Sequence, residues 1–323
     1  MTLSKLAQLA NVSVAVVSKA FSGKGEVSNA MREHVFAVAR RYGCFQQFYH
    51  APYDKPVVAV IVPEAISGFY IHYIEVLKAL MEENGFTLLL SISNFDHQLS
   101  EELARYYVEY SKVDGLLLLG GTPSAISQSN TTAIVSISRM DTFGGRIHFR
   151  LDEGLRACLS YLREMGHTRI GYVGEPLTES KRDMLIEIIA EMGMETREEW
   201  TVTSFSRFQE AGRDGMHRIL ECDERPSVVM GAYSYITQGM LEYLSENGIS
   251  VPQDMSVVSM ESDPPPISPA LDVSCVLSSI EKICEAAICL LRERMRTDTP
   301  NEPITVDVIP KFHVGESIHK IGS

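Results

Sequence analysis

The chain has no stretch that would hold it in a membrane. Its longest clean apolar run, VVAVIV at Val57–Val62, falls far short of the roughly 20 residues that a bilayer-spanning helix needs. Lys5, Gln8 and Asn11 interrupt the first residues, so no secretory signal is read there and a cytoplasmic location is expected. The six cysteines, Cys44, Cys158, Cys222, Cys275, Cys284 and Cys289, show neither C-x-x-C pairing nor histidine spacing. Core thiols in a reducing compartment are therefore expected, with no metal site and no disulfide. Catalytic signatures are missing as well. The sequence holds no G-x-G-x-x-G, no P-loop, no G-x-S-x-G and no H-E-x-x-H, and its nine histidines are spread without a nucleophile that spacing would pair with a base. An enzyme is not expected, and no cofactor is implied. Positive charge is scarce too: 29 Lys and Arg against 42 Asp and Glu leave a net charge of -13, which taken whole argues against nucleic acid.

The positive charge that exists is concentrated at one end. Residues 1–48 carry six cations (Lys5, Lys19, Lys24, Arg32, Arg40, Arg41) and two acids (Glu26, Glu33), so this head is +4 and the remainder -17. Such a head binds a polyanion at one end of a body that repels it elsewhere. Its sequence opens with Leu3, Leu6 and Ala10 at helical spacing, then Asn11 as a turn and Ser13 as the N-cap of a second helix reaching about Phe21. Val17 and Phe21 fall on the inner face; Val14, Ala15, Ser18 and Lys19 fall on the other, near the end that a helix-turn-helix inserts into a major groove. Val14 and Ala15 suit thymine methyls, Lys19 a guanine edge or phosphate, and Ser18 the backbone. After Val27 and Ser28, a third run places Met31, Val35, Val38 and Tyr42 at helical spacing and completes a three-helix head with one small core.

The stretch LAQLANVSVAVVSKAFSGKGEVSNAMREHVFAVARRYG resembles the DNA-binding head of the lactose-repressor (LacI/GalR) family of bacterial transcription regulators, whose pattern runs V-S-x-x-T-V-S-R-x-x-N. Val16 stands at the threonine position, Lys19 at the arginine and Ser22 at the asparagine. The resemblance implies DNA contacts from Ser13, Val14, Ala15, Ser18, Lys19 and Ser22, with Lys24, Arg32 and the Arg40–Arg41 pair on phosphates. Residues 44–56 (CFQQFYHAPYDKP) carry the linker, bounded here at 49–56, and lack the family's G-Y-x-P-N-x-x-A-R-x-L segment that folds on DNA and wedges a leucine into the minor groove.

Beyond the linker, strands alternate with helices. PVVAVIVP reads as a buried parallel strand, followed by a helix with Tyr73, Leu77, Leu80 and Met81 inward, the strand Phe86–Ser93, a helix capped by Ser100, and strands at Gly115–Leu119 and Ala133–Ile137. A second series holds the helix Gly154–Glu164, the strand Arg169–Val173, the helix Lys181–Met192, strands at Ser227–Met230 and Met255–Met260, and the helix Ile280–Met295. This alternation predicts doubly wound α/β lobes. VDGLLLLG, LREMGHTRIGYVG and GISVPQDMSVVSME extend the resemblance, which implies a type I periplasmic-binding-protein-like core at 57–323. Its lobes would run over about 57–152 with 278–309, and 153–277 with 310–323, the chain crossing near Asp152, Leu277 and Pro310.

Ligands of open α/β lobes bind beyond the carboxyl ends of the strands, hence in the cleft between two such lobes. The resemblance sets Phe69 and Tyr70 at an aromatic pair that stacks on a ligand ring; lobe packing is the other reading. Arg182 stands at the R-x-x-G-F arginine that reaches ligand oxygens, with Leu185 replacing the glycine; a surface salt bridge is the alternative. Glu261 stands at a ligand-binding aspartate, and Asp152 at a residue that contacts ligand or hinge, unless it caps the following helix. Tyr233 and Ser234 replace an asparagine and an aspartate, so either the ligand is flatter and less hydroxylated than a sugar or the pocket is partly filled. The whole implies a homodimeric, DNA-binding regulator, more often a repressor, that reads a roughly palindromic double-stranded operator and answers to a small-molecule effector, a sugar or related metabolite. Two rival readings stand beside it: a DNA-binding dimer with no small ligand, and a ligand-binding module with weakened DNA binding.

Overall fold

The computed structural model describes residues 1–22, 25–48, 55–120, 132–138, 144–263, 267–296 and 302–322. In the head, helix α1 (Leu3–Ala10) starts at Thr2, whose hydroxyl accepts the Lys5 N–H at 3.2 Å, and ends at Asn11 in the left-handed region, φ 54°. Asparagine is among the few residues that take that conformation readily. Helix α2 (Val14–Ser22) is capped by Ser13, whose Oγ accepts the Val16 N–H at 3.2 Å, as its sequence position implies. Helix α3 (Asn29–Arg41) is capped in the same way by Ser28. Leu6, Ala7, Ala10, Val17, Ala20, Phe21, Val35, Phe36 and Ala39 form the core.

Two expectations about the head change. Met31 and Tyr42, placed on the inner face of the third helix by periodicity, are exposed, and Phe36 and Ala39 take their place. The helix is turned so that the Phe36 ring lies 5.0 Å from Phe21. The segment from residue 44, read as linker, starts inside the head. Cys44 is buried there and a one-turn helix α4 (Phe45–Phe48) sets Phe45 and Phe48 at 5.8 and 5.7 Å from the Phe21 ring. Apolar rings so close to a small core gain more by joining it than by lining a linker.

The chain divides into two compact units, residues 1–147 with 284–305, and residues 148–283 with 306–323. The changes fall a few residues from the crossings near Asp152, Leu277 and Pro310 expected from sequence. The first unit holds β1 (Val57–Val62), β2 (Thr87–Ile92), β3 (Gly115–Leu119), β4 (Ala133–Ile137) and β5 (Gly145–Phe149), with β11 (Ile304–Val308) beyond β5. Their order is β11-β5-β4-β3-β1-β2, and β1 to β5 pair in parallel. The all-apolar β1 and β3 are buried on both faces, as a central parallel strand requires. Helix α5 (Gly68–Glu83) turns Tyr73, Leu77 and Met81 inward. Helix α6 (His97–Arg105) is capped by Asp96 rather than Ser100, because the Asp96 carboxylate accepts the Leu99 N–H at 3.1 Å, and it passes into a π-helical turn over Tyr106–Ser111.

The second unit repeats the winding. Its strands are β6 (Ile170–Gly174), β7 (Thr201–Thr203), β8 (Val228–Gly231), β9 (Ser256–Ser262), β10 (Cys275–Leu277) and β12 (Lys311–His313), in the order β12-β10-β9-β8-β6-β7. All pair in parallel except β12, which runs antiparallel to β10. Helices α7 (Leu151–Glu164), α8 (Glu179–Glu191), α9 (Phe208–Glu221) and α10 (Ser234–Glu246) cover the sheet. Helices α9 and α10 pack backbone to backbone: a Cβ on Gly239 would collide with the Gln209 carbonyl. Among the described residues no helix is long and apolar enough to cross a membrane.

At the amino-terminal edge of this second sheet lies His167, fully buried. Its Nε2 donates to the His319 carbonyl at 2.9 Å, leaving Nδ1 to accept from the Ser227 hydroxyl at 2.9 Å, so the ring ties the last residues to the sheet. Burial pushes its pKa below the usual histidine value. A depressed folded-state pKa means that the neutral ring stabilises the fold above the unfolded value near 6.5, and that this contribution is lost as pH falls below it. Chemical denaturation from pH 7.5 to 5 should show the second unit weakening on acidification, with a shallower slope in His167→Gln. Equal slopes in the two proteins would refute this role.

Candidate functional site

In the head, the residues expected to meet DNA stand on one solvent face. Ser13, Val14, Ala15, Ser18, Lys19 and Ser22 are all exposed, while Val17, Ala20 and Phe21 point inward. The aliphatic stem of Lys19 lies along Gly25, φ 92°, where a Cβ would meet it at 3.3 Å. Glycine there leaves room for the stem, so the ammonium is presented from a supported side chain. Arg32 is half-buried on α3, and its Nε has no hydrogen-bond partner among the described residues. Lys24 lies outside the described residues.

In the first unit, Phe69 and Tyr70 open α5 behind the N-cap Ser67, beyond the carboxyl end of β1. Both are half-buried and meet edge to face at 5.3 Å, and Tyr70 also meets Phe95 at 6.0 Å, beyond the end of β2. Asn94 and Phe95 both have positive φ, 52° and 58°. For a residue as bulky as phenylalanine this is a strained conformation of the kind that gathers at binding sites.

The second unit brings a polar cluster to the carboxyl ends of its strands. Glu175 follows β6, the Ser204–Arg207 turn follows β7, Tyr233 follows β8, Glu261 ends β9 and Ser278 follows β10. Lys181, in the first turn of α8, forms a close ion pair with Glu261 Oε2, and Ser278 Oγ donates to Glu261 Oε1 at 3.2 Å. Arg182 does not join them. Its Nε donates to Asp183 at 2.9 Å and an η nitrogen to the Thr203 hydroxyl at 3.3 Å, which raises its pKa through the Asp183 carboxylate. Asp152 lies in the first turn of α7 and does not cap it. Arg150 grips both its oxygens at 2.9 and 2.8 Å and holds its pKa below the usual carboxylate range.

Tyr233 stands at the N-terminal edge of α10 with its ring half-buried and its hydroxyl buried. Burial, and then the neighbouring Glu175 carboxylate, push the phenol above its ordinary range. Glu175 itself is buried, with Arg207 Nε 3.5 Å from Oε1. The turn that carries Arg207 continues into Phe208, at φ 58°, and leaves Phe205 93% exposed. The sequence reading missed Glu175, Lys181, Phe205 and Arg207. Glu175 and Phe205 follow strands, the same logic that selected Tyr233; nothing in the spacing pairs Lys181 with a residue eighty positions away.

Comparison with known proteins fits this geometry. Residues 2–43 match the family model for bacterial regulatory proteins of the lacI family, and residues 159–318 match that for a periplasmic binding protein-like domain. The repressor CytR of Escherichia coli (strain K12) is 25% identical over 279 residues, covering 81% of this chain and 80% of CytR. The repressor PurR of Yersinia pestis bv. Antiqua (strain Antiqua) is 27% identical over 272 residues, covering 79% of this chain and 77% of PurR. The solved structure of the transcriptional regulator CelR in complex with cellobiose covers 98% of this chain and 99% of its own, with a TM-score of 0.67 and 22% identity. These relatives are transcription regulators and not enzymes. The chain belongs to the lacI family of bacterial regulatory proteins and is a DNA-binding transcription regulator, a helix-turn-helix head joined to a periplasmic-binding-protein-like core.

Proposed function

We propose that this regulator is a cytoplasmic, homodimeric, non-enzymatic repressor whose grip on a roughly palindromic operator is set by a small metabolite, a sugar or a related compound. The head at 1–48 reads the DNA, residues 49–56 connect it, and 57–323 senses and dimerises. One observation carries the DNA reading: Val14, Ala15, Ser18 and Lys19 form an exposed face on the second helix of a +4 head. Ser13 and Ser22 flank that face, and Arg32 and Lys24 add phosphate contacts. Effector binding is supported by the complex of CelR with cellobiose and by the polar and aromatic groups beyond the carboxyl ends of both sheets. Phe69, Tyr70, Arg182 and Tyr233 contact the effector in this reading. Asp152 and Glu261 act through their own ion pairs, shaping the site around it. Dimerisation is supported by the edge strand β2, which leaves Leu89, Leu90 and Ile92 exposed; an apolar edge of that kind is covered in stable proteins.

Fluorescence anisotropy on the gene's own upstream region tests the reading. Lys19→Ala is expected to weaken specific binding by about tenfold or more while leaving random duplex affinity nearly unchanged. The logarithm of affinity should fall linearly with the logarithm of salt, by several orders across about 50 to 200 mM. Equal binding of specific and random duplex would end the reading. Calorimetry against glucose, cellobiose, adenosine and uridine tests the effector part, and binding by none of them would end that part alone.

A further inference from the structure

Lys19 can reach a base or a phosphate, and the two contacts ask different things of its side chain. Attraction to phosphates is spread along the duplex and depends little on the direction of the ammonium, whereas a base edge offers its acceptors at one point in the groove. A free lysine stem suits the first and loses affinity at the second, because fixing it costs rotamer entropy. In this head the stem is supported. Lys19 stands in the last turn of α2, and its Cγ, Cδ and Cε lie alongside Gly25: a Cβ built on that glycine would stand 3.6, 3.3 and 3.3 Å from them. Gly25 has φ 92°, a conformation that L side chains rarely adopt, and the side on which a Cβ would stand is the side the stem occupies. The contact runs out to Cε, the carbon that bears the ammonium, so it sets where the charge ends up as well as where the stem begins.

We propose that Gly25 is a positioning residue for sequence reading: it seats the Lys19 stem so that the ammonium meets a base edge in the major groove, the O6 and N7 acceptors of a guanine, and not a phosphate. The inference rests on the operator reading above. A lysine presents one compact charge, without the planar fork by which arginine fixes its own orientation on guanine. The direction that an arginine would draw from its guanidinium is supplied here by the neighbouring backbone. A side chain at position 25 takes the space of the stem. A methylene chain yields more easily than a backbone, so Lys19 is the part that moves. The head then keeps its charge while the ammonium loses its aim.

Anisotropy of the full-length protein on the upstream duplex and on random duplex gives a ratio of affinities, and a double-mutant cycle on that ratio is the test. Gly25→Ala should lower the ratio about threefold or more through the specific duplex, while random-duplex affinity stays within about twofold, because the attraction to phosphates is retained. The strain of an alanine at positive φ is present with or without the stem, so the Lys19→Ala background separates the two effects. In that background Gly25→Ala should leave the ratio unchanged. A ratio lowered by the same factor in both backgrounds shows that the glycine acts through its loop and overturns the inference. An equal loss on both duplexes, the mark of a phosphate contact or of a weakened head, overturns it as well. Gly25→Asn carries the same Cβ on a residue that accepts positive φ more readily, so it repeats the cycle if the alanine variant does not fold, and it should give the same coupling. If Lys19→Ala itself keeps the wild-type ratio, the base-reading assignment of Lys19 fails and this inference with it. If Lys19→Ala lowers the ratio and neither Gly25 variant does, this inference fails alone.

Discussion

Phe21→Ala should abolish DNA binding while leaving the two α/β units folded. The ring is 6% exposed and touches three others, Phe36 at 5.0 Å, Phe45 at 5.8 Å and Phe48 at 5.7 Å. Removing a buried phenyl ring costs about 3–5 kcal/mol, the transfer term plus the cavity left behind. A head of some fifty residues has only about 2–7 kcal/mol to lose, at roughly 0.05–0.15 kcal/mol per residue. The substitution is therefore of the same size as the whole stability of the head, and the loss of affinity should exceed about a hundredfold. Anisotropy on the upstream duplex reads the loss, and limited proteolysis should show cleavage confined to residues 1–48. Phe21→Leu, which keeps much of the volume, should retain binding at reduced stability. If Phe21→Ala binds like the wild type, the ring cluster does not hold the head together.

That cluster shows where the sequence was legible and where it was not. The head's first two helices, its Asn11 turn and its Ser13 cap follow from local rules, because a cap and a 3.6-residue stripe are written in consecutive residues. The alternation of apolar strands with amphipathic helices gave the winding of both sheets for the same reason. Phe45 and Phe48 fall inside the 1–48 bound of the head, but a short aromatic segment beside two prolines looks like linker until the core it covers is known. Met31 and Tyr42 were placed inward because periodicity gives a stripe about 100° wide without fixing its centre, and Phe36, one position off the stripe, settled the rotation. Asp96 displaced Ser100 as a cap because two acceptable caps stood four residues apart and only packing of α6 on the sheet chooses between them.

The candidate site divides on the same line. Position along the fold was readable: Phe69, Tyr70, Tyr233 and Glu261 all stand at the carboxyl ends of parallel strands or in the first helical turn beyond them. The state of each group was not. Whether Glu261 faces a ligand or a lysine depends on a contact between Lys181 and a strand far along the chain. Tyr233 presented two alternatives, a flatter ligand or a filled pocket, and the structure narrows them. Its ring packs against the apolar core of the second unit while its hydroxyl turns to the buried Glu175 carboxylate.

Lys181→Met should strongly destabilise the second unit. The side chains of Lys181 and Glu261 are 14% and 10% exposed, so water screens their attraction only weakly. Deleting one partner takes the ammonium away from a buried carboxylate that the Ser278 hydroxyl also meets, and breaking a buried ion pair in this way costs about 3–5 kcal/mol. For a unit of about 150 residues that is a fall of roughly 6–20 °C in thermal midpoint. The lost counter-charge is the cause, so a remedy should follow. The double variant Lys181→Met/Glu261→Leu should recover most of the loss, because apolar replacement of both partners removes the desolvation cost along with the attraction. Scanning calorimetry of the four proteins closes a double-mutant cycle. A coupling of less than about 0.5 kcal/mol would class the pair with exposed salt bridges.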